Sequence, residues 1–210
     1  MVELELKFKL KEIPNAVSGL RMIKSKSQSD IYYDTNDYKL IQNGNFMRVR
    51  NNKTLDFKLN LNDLSHLYCQ ELDFNIDEVV DKKSQICEIL NRICSKCNEN
   101  FKNIEELLSN NELKVLAPIE KNRNEYELDE TTHICVDEVK NLGTFLEAEI
   151  MIDKENITKE ESEIFKQELL NKLVKCGLIN LENEQVNIGY VELYLKEHNK
   201  QAYELGVYKN

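Results

Sequence analysis

The chain has 210 residues, of which 41 % are hydrophobic and 31 % charged, with a formal net charge of −10 and a pI ≈ 5.0. A chain this acidic is a poor candidate for nonspecific binding to nucleic acid or an anionic membrane, so any anionic ligand must be held by a local basic cluster. With 2 Pro and 6 Gly, no apolar stretch near the length of a membrane span, and a charged start at Met1-Val2-Glu3-Leu4-Glu5, the sequence excludes low-complexity linkers, a bilayer span and a signal-peptide core, and predicts a cytoplasmic protein.

In chain order, Glu3 to Lys9 alternates strictly and predicts a strand with Leu4, Leu6 and Phe8 on one face and Glu3, Glu5, Lys7 and Lys9 on the other. Pro14 opens a short helix through Leu20 and Met22 to about Lys24. Ser29 to Tyr33 reads as a strand, Tyr38 to Ile41 as one helical turn, and Asn43-Gly44-Asn45 as a hairpin-type turn. Strands follow at Phe46 to Arg50, Thr54 to Leu61 and Cys69 to Ile76, with a polar loop from Asp63 to Tyr68. Val79 to Asn98 and Ile104 to Leu113 predict helices, the first carrying Ile86, Ile89, Leu90 and Ile93 at helical spacing. Val115 to Asp129, Thr132 to Val139 and Gly143 to Ile152 return to strand. Thr158-Lys-Glu-Glu161 is a capping-box pattern opening a helix to Lys175 that stops at Gly177. Gly189 to Lys196 closes the fold as a helix or a strand.

Charges recur where the buried face of a strand is expected. The pattern of the first strand returns in Arg48-Val49-Arg50, Asp56-Phe57-Lys58, Glu71-Leu72-Asp73-Phe74, Lys121-Asn122-Arg123 and Glu147-Ala148-Glu149. Any one of these is most simply an amphipathic surface strand. Repeated, they describe a sheet with one charged face, and closure into a barrel turns that face into a polar tunnel. Acidic pairs there suit a divalent cation and basic pairs a polyphosphate. Neither half of the chain closes a barrel around its own charges, so residues 1–210 are expected to form a single domain, with a core of about 2–196 and a short C-terminal tail.

The six cysteines are expected as reduced thiols. Cys94-Ser95-Lys96-Cys97 has C-x-x-C spacing but no second pair or neighbouring histidines, so no zinc or redox role is assigned. His66, His133 and His198 lack ligand spacing and read as surface residues, and Tyr33-Asp34-Thr35 reads as turn or cap structure.

The ordered motifs, from the Glu3-x-Glu5-x-Lys7 opening through Tyr33-Asp34-Thr35, Phe46-Met47-Arg48-Val49-Arg50, Lys58, Glu71-Leu72-Asp73, Lys121-Asn122-Arg123, Val136-Asp137 and Glu147-Ala148-Glu149 to Gly189-Tyr190-Val191-Glu192, resemble the CYTH superfamily of triphosphate tunnel metalloenzymes. The resemblance implies an α+β fold, an eight-stranded antiparallel β-barrel forming a charged tunnel with helices packed outside. It implies Mg²⁺ or Mn²⁺, held by Glu3, Glu5, Glu147 and Glu149, with Glu71 and Asp137 as further ligands or orienting groups. Lys7, Arg48, Arg50, Lys58, Lys121 and Arg123 would bind phosphate, the arginines as bidentate forks. The catalytic set is then Glu3, Glu5, Lys7, Glu147 and Glu149. Where some relatives carry a basic residue in the closing segment, this chain offers none at the matching position.

The expected function is a metal-dependent triphosphatase acting on a small-molecule triphosphate (tripolyphosphate, ATP or thiamine triphosphate), a metal-activated water attacking the terminal phosphorus. A class IV-type adenylyl cyclase is the alternative, and a noncatalytic polyphosphate-binding module is the second. The absence of Trp weakens thiamine triphosphate, whose cationic rings favour an aromatic platform. No nucleic-acid or membrane partner is expected, and a homodimer is left open.

Overall fold

The computed structural model describes residues 2–60, 69–94, 96–154, 157–180 and 182–209, with the side chains of Val2, Glu3 and Cys69 excepted. The fold is α+β. Nine antiparallel strands are hydrogen-bonded in the order β5-β4-β3-β2-β6-β7-β8-β1-β9. They are β1 (Val2–Leu10), β2 (Arg21–Asp34), β3 (Phe46–Arg50), β4 (Thr54–Asn60), β5 (Cys69–Asn75), β6 (Lys114–Asp129), β7 (Thr132–Val139), β8 (Gly143–Ile152) and β9 (Glu184–Gln185). Among the described residues six α-helices accompany them: α1 (Lys39–Gln42), α2 (Lys83–Ile93), α3 (Ile104–Asn110), α4 (Lys159–Lys175), α5 (Tyr190–His198) and α6 (Lys200–Leu205). Among the described residues the strand order runs from β5 to β9, and barrel is an approximate word for it. The ninth strand is the two-residue β9, which adds to the edge of β1 opposite Phe8 and Lys9.

The chain divides into two compact units. One comprises Met1–Gln28 and Glu120–Gly189, and the other Ser29–Ile119 and Tyr190–Lys209. In the first, alternation sends Leu4, Leu6 and Phe8 of β1, Ile134 and Val136 of β7, and Leu146 and Ala148 of β8 to a single apolar face, covered by Leu169 and Leu173 of α4. Helix α4 begins at the predicted capping box, Glu161 N donating to Thr158 Oγ1 at 3.1 Å and Thr158 N to Glu161 Oε2 at 2.9 Å. In the second unit, Met47 and Val49 of β3 and Leu55, Phe57 and Leu59 of β4 form the apolar face, packed against Ile86, Leu90 and Ile93 of α2 and Leu107 of α3.

Several predicted elements shift. The Pro14 helix is a 3-10 turn over Asn15–Gly19, and residues through Lys24 belong instead to the 14-residue β2. Its first half has no apolar alternation because polar pairs hold it beside β6: Ser27 Oγ donates to Asn122 Oδ1 at 2.7 Å, and Arg21 pairs with Glu127 at 2.7 Å. The long helix from Val79 shortens to Lys83–Ile93, and it does not continue to Asn98 because Cys97 is disulfide-bonded to Cys87. Their Cα atoms are 5.2 Å apart over ten residues, where a continuous helix would separate them by about 15 Å. The expectation of six reduced thiols is corrected for this pair. Gly44 does not turn a hairpin. It ends α1 at φ +68, its N–H on Ile41 O and the Asn45 N–H on Leu40 O. The closing segment is helical in α5, and the Asp63–Tyr68 loop with His66 lies outside the described residues.

Tyr33-Asp34-Thr35 has the structural role read from sequence. The buried Asp34 carboxylate accepts from the backbone N–H groups of Thr35 and Leu40 at Oδ1 and Ile41 at Oδ2, anchoring the start of α1. Among the described residues no helix is long and apolar enough to cross a membrane.

Candidate functional site

The pleat that buries Leu4 and Leu6 puts their charged neighbours on the opposite face. Glu5 of β1 stands opposite Glu149 of β8, and Lys7 opposite Glu147. On β7, His133 and Cys135 are the register partners of Glu149 and Glu147, while Asp137 pairs with Arg123 of β6. Glu5, Glu147 and Glu149 bring one carboxylate oxygen each within 4.8 Å of the others. Three hard oxygen donors at this spacing fit a hard divalent cation such as Mg²⁺ or Mn²⁺. Glu3 lies on the same strand, opposite Met151.

Cations interleave with these acids. Lys7 Nζ is 3.2 Å from both Glu5 Oε1 and Glu147 Oε1, and it donates to Ile188 O at 3.4 Å. Arg123 forks onto Asp137, with Nε to Oδ1 at 2.7 Å and Nη2 to Oδ2 at 2.6 Å, and also donates to Glu147. Its Nη1 is 3.9 Å from Glu149. Lys121 Nζ reaches Asp137 Oδ2 at 2.6 Å. Asp137, wholly buried, thus anchors two cations and stands outside the three-carboxylate group.

Burial and partners set the charge states. Burial opposes the Lys7 ammonium, but Glu147 and Glu5 outweigh it and hold its pKa above the ordinary lysine value. Arg123 is likewise raised, Asp137 and Glu147 prevailing over desolvation. Lys121 goes the other way: burial lowers its pKa despite Glu147 and Asp137. The Cys135 thiol, desolvated and flanked by Glu149 and Glu147, is pushed up to about 12 against the pull of Arg123, so it stays protonated at neutral pH.

The second unit carries a separate cluster. Arg48 and Arg50 project from β3 toward Asp30 and Tyr32 of β2 and Asp56 of β4. Arg50 Nε and Nη2 fork onto Asp30 at 2.9 and 3.1 Å. Arg48 Nε donates to Asp56 Oδ2 at 2.8 Å and its Nη1 to Tyr32 Oη at 3.1 Å. Both arginines thus already pair with carboxylates through their Nε edges. Burial works against the Arg48 charge, yet Tyr32, Asp30 and Asp56 keep its pKa raised. Lys58 pairs with Glu71 at 3.4 Å in a more exposed position, and Glu71 is not among the three converging carboxylates. In the closing segment, Glu192 of α5 is buried.

Asp30 was not picked out by sequence reasoning, and Asp56 was read only as part of the charged alternation, with no partner assigned. For Asp30 the signal is the period-two run Gln28, Asp30, Tyr32, Asp34, which puts it on the face of Tyr32. His133 is half-buried on the charged face rather than at the surface, while His198 is exposed.

A family model for the CYTH domain matches residues 1–176. No curated protein matches the chain. Among solved structures, PH1819 of Pyrococcus horikoshii OT3 is 22 % identical at a TM-score of 0.59, covering 92 % of this chain and 98 % of its own. A candidate adenylate cyclase of Vibrio parahaemolyticus is 20 % identical at a TM-score of 0.58, covering 92 % and 97 %. HpAC1 of Hippeastrum, described as a candidate adenylyl cyclase with a dominant triphosphatase activity, is 20 % identical at a TM-score of 0.57, covering 92 % and 95 %. At these identities the likeness is one of fold.

Proposed function

The chain belongs to the CYTH domain family, and from that premise we propose that it is a divalent-metal-dependent triphosphatase hydrolysing inorganic triphosphate or a small organic triphosphate. The observation that carries the reading is the convergence of Glu5, Glu147 and Glu149 within 4.8 Å, beside Lys7 and Arg123. Like-charged carboxylates packed this closely repel one another, an arrangement that a cation ligand would relieve. Glu3, one pleat before Glu5, is kept in the proposal as a fourth carboxylate.

Bound there, Mg²⁺ or Mn²⁺ would neutralise phosphate charge and lower the pKa of a water. The chain's own groups do the rest. Lys7, held cationic, binds a phosphate oxygen and moves no proton. Arg123 stabilises charge on the equatorial oxygens, with Asp137 fixing its plane. Lys121, Lys58, Arg48 and Arg50 are proposed as further phosphate ligands. In the net reaction an oxygen–phosphorus bond forms from water to the terminal phosphorus, the bridging bond breaks, and orthophosphate forms as pyrophosphate (from inorganic triphosphate) or the organic diphosphate leaves, with a proton released.

The second reading is a class IV-type adenylyl cyclase, favoured by the descriptions of the Vibrio and Hippeastrum proteins. There the ribose 3′-hydroxyl attacks the α-phosphorus and pyrophosphate leaves. Product analysis separates the two. Purified protein is incubated with tripolyphosphate, ATP or thiamine triphosphate and either metal. Orthophosphate plus pyrophosphate from tripolyphosphate is the expected result. Cyclic AMP from ATP would replace the triphosphatase with the cyclase. Binding without product would leave a polyphosphate-binding module.

A further inference from the structure

We propose that Asp30 is a positioning residue for the phosphate-binding arginines, fixing which edge of each guanidinium is left for an oxyanion. The inference rests on the triphosphate reading above. Asp30 is 4 % exposed. It stands on β2 opposite Arg50, one pleat before Tyr32, which stands opposite Arg48.

Accounting for each guanidinium nitrogen shows what is left. Asp30 takes Nε and Nη2 of Arg50 at 2.9 and 3.1 Å, and its Oδ2 is 3.4 Å from Arg48 Nη1. Asp56 takes Arg48 Nε at 2.8 Å, and Tyr32 takes Nη1 at 3.1 Å. What remains among the described residues is Nη2 of Arg48, together with Nη1 and the second N–H of Nη2 on Arg50, whose Nη1 is 3.7 Å from Asp56 Oδ2. A guanidinium is planar and rigid, so a fork fixed on one edge fixes the direction of the opposite nitrogen. An oxyanion arriving here meets the end-on edge of Arg50 and Nη2 of Arg48, and not the Nε edge of either arginine.

Electrostatics alone argues against this placement. A buried carboxylate beside two phosphate-binding cations repels the ligand and lowers its affinity. What offsets that cost is preorganisation: two long, rotamer-rich side chains are held before the ligand arrives. The two accounts differ in the sign of one measurement. If Asp30 only neutralises charge, Asp30→Asn strengthens anion binding; if it positions, Asp30→Asn weakens it.

The test is calorimetric titration with imidotriphosphate, the nitrogen-bridged analogue that is not turned over, at fixed Mg²⁺. Asp30→Asn is expected to bind about 10-fold more weakly than wild type despite losing a negative charge. Because Asp30 acts through Arg50, its substitution in an Arg50→Lys background should add less than about 2-fold, whereas a merely structural role would add in full. If Asp30→Asn does not fold by circular dichroism, Asp56→Asn carries the test. It removes the charge that anchors Arg48 Nε and should weaken binding about 3-fold. Equal or tighter binding by the variant, or full additivity with Arg50→Lys, overturns the inference while the triphosphate reading stands. A wild type that binds no imidotriphosphate overturns both.

Discussion

Glu149 of β8 stands opposite Glu5 of β1, two acids in the ladder position where a sheet gains most from opposite charges or apolar contact. Their oxygens come within 4.8 Å of each other and of Glu147. Lys7 is shared between Glu5 and Glu147, and Arg123 lies between Glu147 and Glu149, so cations and acids alternate through the cluster.

Glu5→Gln tests that placement. It keeps the shape of the side chain and removes a charged donor from a partly solvated position. Mn²⁺ affinity should fall about 10- to 100-fold, and triphosphatase turnover should fall with it. Thermal stability should hold or rise, because a like-charge contact is relieved. Calorimetry with Mn²⁺ and a thermal melt give both readings. Undiminished Mn²⁺ binding would remove Glu5 from the metal site.

Asp137→Ala should behave in the opposite way. Asp137 is fully buried and carries Lys121 and the Arg123 fork. Its removal leaves two partly buried cations short of an anchor, at a cost of about 3–5 kcal/mol. Urea denaturation should show the midpoint drop, and Asp137→Asn, which retains one acceptor, should lose less. A stability change near zero would make the cluster a solvated one.

How much of this was legible in the sequence depends on the distance between partners. β1, β3, β4 and β8 announce themselves by period-two alternation, because their apolar residues pack on one face. The same alternation named the converging Glu5, Glu147 and Glu149. The first half of β2 carries no such signal. It is a strand because Ser27 and Arg21 find Asn122 and Glu127 about a hundred residues away. The engagement of Arg50 by Asp30 is likewise invisible in a chain where 20 residues separate them. Alternation can say that a residue faces the charged side. It cannot say which opposite charge meets it there, and that decides whether an arginine fork is free or taken.

The Cys87–Cys97 bond ties the middle of α2 to the segment that follows the helix. Closing a loop of this size contributes about 3 kcal/mol through the unfolded chain. Cys97→Ser should lower the melting temperature, and reductant should lower that of wild type to a similar value. Thiol titration of denatured protein should find two fewer thiols per chain before reduction than after. An equal count would mean that the pair is reduced under the conditions of purification.

Asp129 should govern part of the acid response. Burial pushes its carboxyl up, but Lys172 Nζ at 2.7 Å and hydrogen bonds from Thr131 outweigh that and hold its pKa at about 2, against 3.8 ordinarily. A carboxyl whose pKa is depressed by folding contributes its full stabilisation above the unfolded value. As pH falls from about 4 toward 2 the unfolded chain takes up the proton first, so the stabilisation is lost across that window. Asp129→Asn should therefore be less stable than wild type at neutral pH by a small margin, since the pair is well exposed to solvent. That margin should shrink toward zero between pH 4 and pH 2. Guanidinium midpoints for both proteins across this range give the comparison, and a margin that stays constant with pH would assign the Lys172 contact no role in acid stability.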